Sequence, residues 1–92
     1  MKFEFDSEKS EVNRQKHGLS LREATQLWDM VHVEIEARTI DEPRVMAIGT
    51  LGGKLYACIY TLRGDTIRLI SCRRAHEKEA RIYHAHIKES LG

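Results

Sequence analysis

The chain has 92 residues, enough for one compact core but too few for a second domain or a cavity that encloses a large cofactor. Hydrophobic residues at 41% and charged residues at 32% exclude a disordered tail, and no run approaches the roughly 18 apolar residues of a membrane-spanning helix. A formal net charge of +1 argues against a uniformly basic nucleic-acid binder, although it says nothing about where the charges sit.

Phe3 and Phe5 alternate as a short extended segment. Asp6 and Ser7 then cap a first helix that runs to about His17 and is ended by Gly18. Ser20-Leu21-Arg22-Glu23 is a capping box for a second helix, because the Ser hydroxyl and the Glu carboxylate satisfy each other's free backbone donors. Leu19 and Ala24 supply a hydrophobic staple, and Leu21, Ala24, Leu27 and Trp28 make one apolar face. After Met30 the period changes to two. Val31, Val33, Ile35 and Ala37 alternate with His32, Glu34, Glu36 and Arg38, which is a strand with one wet face. Thr39 to Pro43 is a polar turn, Arg44 to Leu51 a second strand, Gly52-Gly53 a tight hairpin turn and Lys54 to Leu62 a third strand. Arg63-Gly64-Asp65 is another turn rather than an adhesion motif, since Gly supplies positive φ and Asp favours turns. Thr66 to Arg73 is a fourth strand, and Ala75 to about Ser90 a last helix. The predicted fold class is α+β in the order ααββββα: two N-terminal helices, a four-stranded antiparallel sheet with helices on one face, and a C-terminal helix, in a single domain over residues 1–92.

Cys58 and Cys72 lie inside apolar strands. Two cysteines are fewer than the staple framework of a small secreted domain, so buried reduced thiols are expected rather than a disulfide. Met1-Lys2-Phe3-Glu4-Phe5-Asp6 contains no apolar stretch of signal-peptide length, and a cytoplasmic setting is expected.

The near-neutral total hides an asymmetry. Residues 1–20 balance, residues 21–62 carry −2, and residues 63–92 carry +3, with His76, His84 and His86 in addition. Arg63, Arg68, Arg73, Arg74, Lys78 and Arg81 concentrate the positive charge, and Arg14, Lys16 and His17 close the first helix. Guanidinium groups fork onto phosphate oxygens and stack on bases, which suits an RNA backbone. Continuous alternation along the fourth strand pairs Arg68 with Ile70, Cys72 and Arg74, and Arg73 with Ile67, Leu69 and Ser71. The plainer alternative for Arg68 is an ion pair with Glu34 or Glu36. His84 and His86 are two residues apart, which does not bring two imidazoles to one helical face, and no CxxC or HExxH occurs, so no metal is expected. Phosphate-cradling glycine loops and GxSxG are likewise missing, and no cofactor is expected.

Phe3-x-Phe5-Asp6-x-x-Lys9-x-x-x-Asn13-x-x-Lys16-His17-Gly18, followed by Ser20-Leu21-x-Glu23-Ala24 to Trp28-Asp29 and by Ile67 to Ala75 with Glu79 and Tyr83, resembles the BrnT toxins over nearly the whole chain. The departures are apolar exchanges: the family usually has Trp at Phe5, Phe at Leu21 and Ala at Cys72. The resemblance implies a RelE-like fold and a ribonuclease toxin of a type II toxin–antitoxin pair that inhibits translation. It also implies a BrnA-like ribbon-helix-helix antitoxin, a heterotetrameric complex with that antitoxin, and DNA contacts made only through it. RelE-like nucleases cut RNA without a metal, by attack of a ribose 2′-OH on the adjacent phosphate. That chemistry needs a base, an acid and cations for the developing charge.

On those needs the candidate catalytic residues are His17 as acid or base, histidine being the residue type suited to proton transfer, Arg68 and Arg73 for charge, and Tyr83 as proton donor or stacking ring. Lys16, Arg44 and Arg74 are candidates for binding RNA, and Asn13, one turn before His17, for orienting its imidazole. The rival reading is a non-catalytic interaction module that co-represses transcription with a DNA-binding partner. For every candidate a structural role competes: Lys16 and His17 complement a helix C-terminus, and Tyr83 packs an amphipathic helix.

Overall fold

A computed structural model describes residues 1–37 and 42–91. The elements are strand β1 (Lys2–Glu4), helix α1 (Ser7–His17), short helix α2 (Leu21–Ala24) leading into a 3-10 turn (Thr25–Asp29), strands β2 (His32–Ala37), β3 (Arg44–Leu51), β4 (Lys54–Arg63) and β5 (Thr66–Arg74), and helix α3 (Glu77–Leu91). Arg38 and residues 39–41, the front of the expected polar turn, lie outside the described residues.

Strands β2 to β5 form the expected antiparallel meander, but the four-stranded antiparallel sheet does not hold. The sheet has five strands in the order β1-β5-β4-β3-β2 and is mixed. β1 adds to the free edge of β5 in parallel, with Lys2 opposite Thr66, Phe3 opposite Ile67 and Glu4 opposite Arg68. Three residues carry too little alternation to announce a strand, and the partner is remote in sequence, so no local pattern marks the pairing.

Beyond β1, α1 takes over the β5 edge. Asn13 of α1 is buried, donates from Nδ2 to the Leu19 and Cys72 carbonyls at 2.7 Å each, and accepts the Cys72 N–H at 3.1 Å. The amide stands in for a neighbouring peptide where the strand has run out. It is fully engaged there, which corrects the expectation that it orients His17.

The second helix is shorter than its apolar face suggests, tightening after Ala24 into the 3-10 turn. Its start is nevertheless well satisfied. Ser20 Oγ accepts the Glu23 N–H and Glu23 Oε1 accepts the Ser20 N–H, completing the capping box. Ser10 Oγ, reaching from α1, accepts the Leu21 and Arg22 N–H groups. Four orphan donors of a helix start are thereby paired or folded into the first turn.

Residues directly opposite across paired strands share a face. Tyr56, Cys58, Tyr60, Ile67, Leu69 and Cys72 turn toward α2 and the 3-10 turn and bury Leu21, Ala24 and Leu27. Gly49 of β3 permits that approach, because a Cβ there would stand 2.7 Å from Leu27 Cδ1. On the other face Val33, Ile48 and Ala57, also opposite one another, are buried where α3 crosses β2 and β3. The helices therefore cover both faces of the sheet, not one. Cys58 and Cys72 are direct cross-strand partners with Cα atoms 4.1 Å apart and form a disulfide inside the core, where composition points to free thiols. Composition speaks only to compartment habits, whereas the β4–β5 register sets the two sulfurs side by side.

Candidate nucleic-acid interface

A bulge decides where the arginines go. Ile59 lies opposite Ser71 and Tyr60 opposite Leu69, so Ile70 is an extra residue in β5 and the alternation changes phase there. Arg68, Ser71 and Arg73 consequently share the α3 side of the sheet, opposite Thr61, Ile59 and Ala57, while Ile67, Leu69, Cys72 and Arg74 share the other. The parity expected from unbroken alternation, which separates Arg68 from Arg73, is corrected by this one residue. Strand registers put Arg63 of β4, Arg44 of β3 and Lys2 of β1 on the same side. Cations that looked scattered in sequence thus gather on one face, and the acidic side chains Glu34 and Glu36 of β2 project from the opposite one.

Two of these cations arrive with partners. Arg73 forks onto Glu79 of α3, Nη1 to Oε1 and Nη2 to Oε2, both at 2.8 Å. Glu79 Oε1 also accepts the His76 N–H at 2.7 Å, at the start of α3. The Arg73 guanidinium is the main reason the Glu79 carboxyl is held down to about 2. The pair ties the first turn of α3 to the end of β5. Arg68 pairs with Glu4 of β1, and Arg63 stands 3.7 Å from the same carboxylate. The expected alternative partners, Glu34 and Glu36, are on the far edge strand and on the wrong face.

The remaining candidates are distributed around this face. Arg44 lines a groove of about 460 Å³ between α3 and the sheet, together with Lys78 and Glu79. Tyr83 is half-buried one helical turn beyond Glu79, its ring edge-on to His84 at 5.4 Å. Arg74 leaves the face entirely and sits over the Tyr56 ring at 5.9 Å. Lys16 and His17 are exposed at the end of α1, which follows the β5 edge toward its C-terminal end. Among the described residues no hydrogen bond or ion pair joins His17 or Lys16 to Arg68, Arg73 or Tyr83. Arg68, Arg73 and Arg44 are therefore brought onto one face, Tyr83 onto the helix that crosses it, and Lys16, His17 and Arg74 to the neighbouring end.

Sequence reasoning passed over one polar cluster on the opposite face. His32 Nδ1 lies 2.9 Å from the Met30 carbonyl and Nε2 3.1 Å from Glu34 Oε1. Glu34 also meets the buried Tyr60 hydroxyl, whose pKa is raised by burial and by that carboxylate. Trp28 packs edge-on to Tyr60 and Phe3, with its buried Nε1 unpartnered among the described residues. The alternation of β2 does put His32 and Glu34 on one side, but their distance in sequence from Tyr60 conceals the contact. No arginine or lysine among the described residues pairs with this cluster, so it lacks the positive charge that a phosphate needs. No group of three or more His, Cys, Asp or Glu among the described residues is placed to hold a metal. No helix among them is long and apolar enough to cross a membrane.

The molecule is thus a small α+β domain whose mixed sheet collects arginines on one face. The family model for the ribonuclease toxin BrnT of type II toxin–antitoxin systems matches residues 5–79, from the entry into α1 through strands β2 to β5 to Glu79. The chain belongs to this BrnT family of ribonuclease toxins. Curated proteins yield no match to it. The matched span includes His17, Arg44, Arg68 and Arg73 and stops short of Tyr83.

Proposed function

We propose that this BrnT-family chain is an endoribonuclease that inhibits translation in the cytoplasm and works without a metal. A BrnA-like ribbon-helix-helix antitoxin neutralises it in a heterotetramer and makes whatever DNA contacts the complex has. The observation that carries the enzymatic part is the gathering of Lys2, Arg44, Arg63 and Arg68 on one face by strand register, with Arg73 brought to the same face by the bulge at Ile70. Guanidinium groups fixed by carboxylates are preorganised for a phosphate, and preorganised charge is the largest contribution such a site makes.

In this reading the 2′-OH attacks the adjacent phosphorus and loses its proton to a base. The P–O5′ bond breaks as the 5′-oxygen gains a proton, leaving a 2′,3′-cyclic phosphate. Arg68 and Arg73 meet the charge that builds on the non-bridging oxygens, and Tyr83 of α3 serves as proton donor or stacking ring. His17 is the acid or base offered from the α1 end, where RNA passing over the end of β5 also meets Lys16 and Arg74. Arg44 holds a flanking phosphate.

RNA incubated with the protein in EDTA tests this. Cleavage should proceed, fall by about a hundredfold in Arg68→Ala and Arg73→Ala, and fall in His17→Ala and Tyr83→Phe if those residues move protons. RNA left intact by the unaltered protein at every concentration would overturn it. The rival reading, a binding module without catalysis, draws on a specific observation too: Arg68 and Arg73 already have carboxylate partners in Glu4 and Glu79. Intact RNA together with tight antitoxin binding is the result it requires.

A further inference from the structure

Among the described residues, two carboxylates pair with the arginines of the cationic face, and their surroundings differ. Both Glu79 oxygens are committed, Oε1 to Arg73 and the His76 N–H and Oε2 to Arg73, and its side chain is only 12% exposed. It is a structural clamp. Glu4 is 42% exposed and meets its arginines through a single oxygen: Oε1 accepts from Arg68 Nη1 at 2.5 Å and stands 3.7 Å from Arg63 Nη1. Its Oε2 has no hydrogen bond or ion pair among the described residues. Asp6, the next acid along the chain, is spent at the start of α1, where Oδ1 accepts the Glu8 and Lys9 N–H groups.

Cleavage through a ribose 2′-OH needs its base beside the cation that holds the phosphate, because the attacking oxygen ends bonded to that phosphorus. A planar guanidinium carries five donors on fixed edges and can hold a carboxylate on one and a phosphate on another. Arg68 has this arrangement half filled: Nη1 is on Glu4, and its other donors have no partner among the described residues. A phosphate on those donors lies beside the unpartnered Oε2. Access comes from the edge of the sheet, since β1 is its outermost strand and Glu4 borders a cleft of about 630 Å³ with Lys2, Phe5, Arg22 and Thr66. Lys2 and Arg63, on the same side, extend the positive charge along that approach.

We propose that Glu4 is the general base of the cleavage. Its Oε2 takes the 2′-OH proton as the 2′-oxygen bonds to phosphorus; the P–O5′ bond breaks, and the 5′-oxygen takes its proton from a separate acid. Arg68 serves twice, aiming the carboxylate and meeting the charge on the phosphate. The assignment rests on the ribonuclease reading above, supplies the base which that reading leaves open, and gives His17 the part of acid.

Glu4→Gln is the decisive variant, because the amide keeps the size and still accepts from Arg68 through its carbonyl oxygen but cannot take a proton. Single-turnover cleavage of an RNA oligonucleotide in EDTA should fall by about a hundredfold or more, while affinity for a fully 2′-deoxy version stays within about twofold. The rate of the unaltered protein should fall at low pH as its base is protonated, and this acid limb should be missing from the residual activity of Glu4→Gln. Glu4→Asp, which keeps a carboxylate, should recover part of the lost rate. Circular dichroism checks the fold; should Glu4→Gln not fold, Glu4→Asp carries the test, since drawing the carboxylate back by one methylene should slow cleavage at unchanged affinity. Cleavage by folded Glu4→Gln within about threefold of the original, or faster than it, would overturn the proposal. So would an acid limb that survives the substitution, or a loss confined to affinity, which marks a partner of Arg68 and not a base. RNA left uncut by the unaltered protein removes the ribonuclease reading and Glu4 with it; failure of Glu4 alone is distinct, because both proteins then cut.

Discussion

Replacing Asn13 with alanine asks whether the side chain serves the sheet or His17. The residue is 6% exposed, and its amide holds the Cys72 N–H, the Cys72 carbonyl and the Leu19 carbonyl. Cys72 is wholly buried, and β1 ends before reaching it, so alanine leaves these groups without a substitute. Each buried backbone group stranded in this way costs about 1–3 kcal/mol, and partial relaxation of the carbonyls puts the expected total near 3 kcal/mol. A domain of this size has about 5–10 kcal/mol to lose. With a urea dependence of about 1 kcal/mol per molar, the unfolding midpoint should fall by about 2–3 M at unchanged slope. Asn13→Asp should be nearly as damaging: it keeps an acceptor for the Cys72 N–H but turns a carboxylate oxygen toward two carbonyls. A loss below about 1 kcal/mol for Asn13→Ala would refute the edge-closing role. Unchanged stability with diminished RNA cleavage would return Asn13 to the service of His17.

Three further outcomes follow from the geometry. The Glu79 carboxyl sits at about 2 in the folded chain against an ordinary 4.5, so its contribution is complete above about 4.5 and is lost as pH falls toward 2. Urea titrations across that window should show the original protein losing about 1–2 kcal/mol, after solvent screening, that Glu79→Gln has already lost at neutral pH. Gly49→Ala pushes a methyl to within 2.7 Å of Leu27 Cδ1 and should cost about 1–3 kcal/mol in thermal unfolding; combined with Leu27→Ala, the total should be less than additive. Binding of an uncleavable RNA should weaken with salt, with a slope reduced by about 0.7 in Arg68→Ala if that guanidinium contacts one phosphate. A slope identical in both proteins would remove Arg68 from the interface.

Local chemistry was readable where it is local. Asp6, Gly18 and the Ser20–Glu23 box mark their helix ends because capping needs only residues a few positions apart. The meander from β2 to β5 follows from alternation and short turns. What depends on distant partners was not readable: β1 pairing with β5, the disulfide between Cys58 and Cys72, and Glu4 as the partner of Arg68. Among the candidate site residues, the grouping of Arg68 with Arg73 hinged on Ile70. A bulge leaves no mark in an apolar strand that reads hydrophobic on both parities. Residue type pointed to the arginines; their common direction is a property of the register.

The parallel pairing of β1 with β5 also has a temporal consequence. The meander closes neighbour by neighbour over short loops, whereas the first strand has to wait for a partner more than sixty residues later, as the Glu4–Arg68 bond illustrates. During synthesis Lys2 to Glu4 leave the ribosome well before β5 and can pair only once β5 has followed. Until β1 pairs, β5 has an open edge and Arg68 lacks the Glu4 carboxylate. The cationic face is therefore complete only when residues more than sixty positions apart in the chain have met.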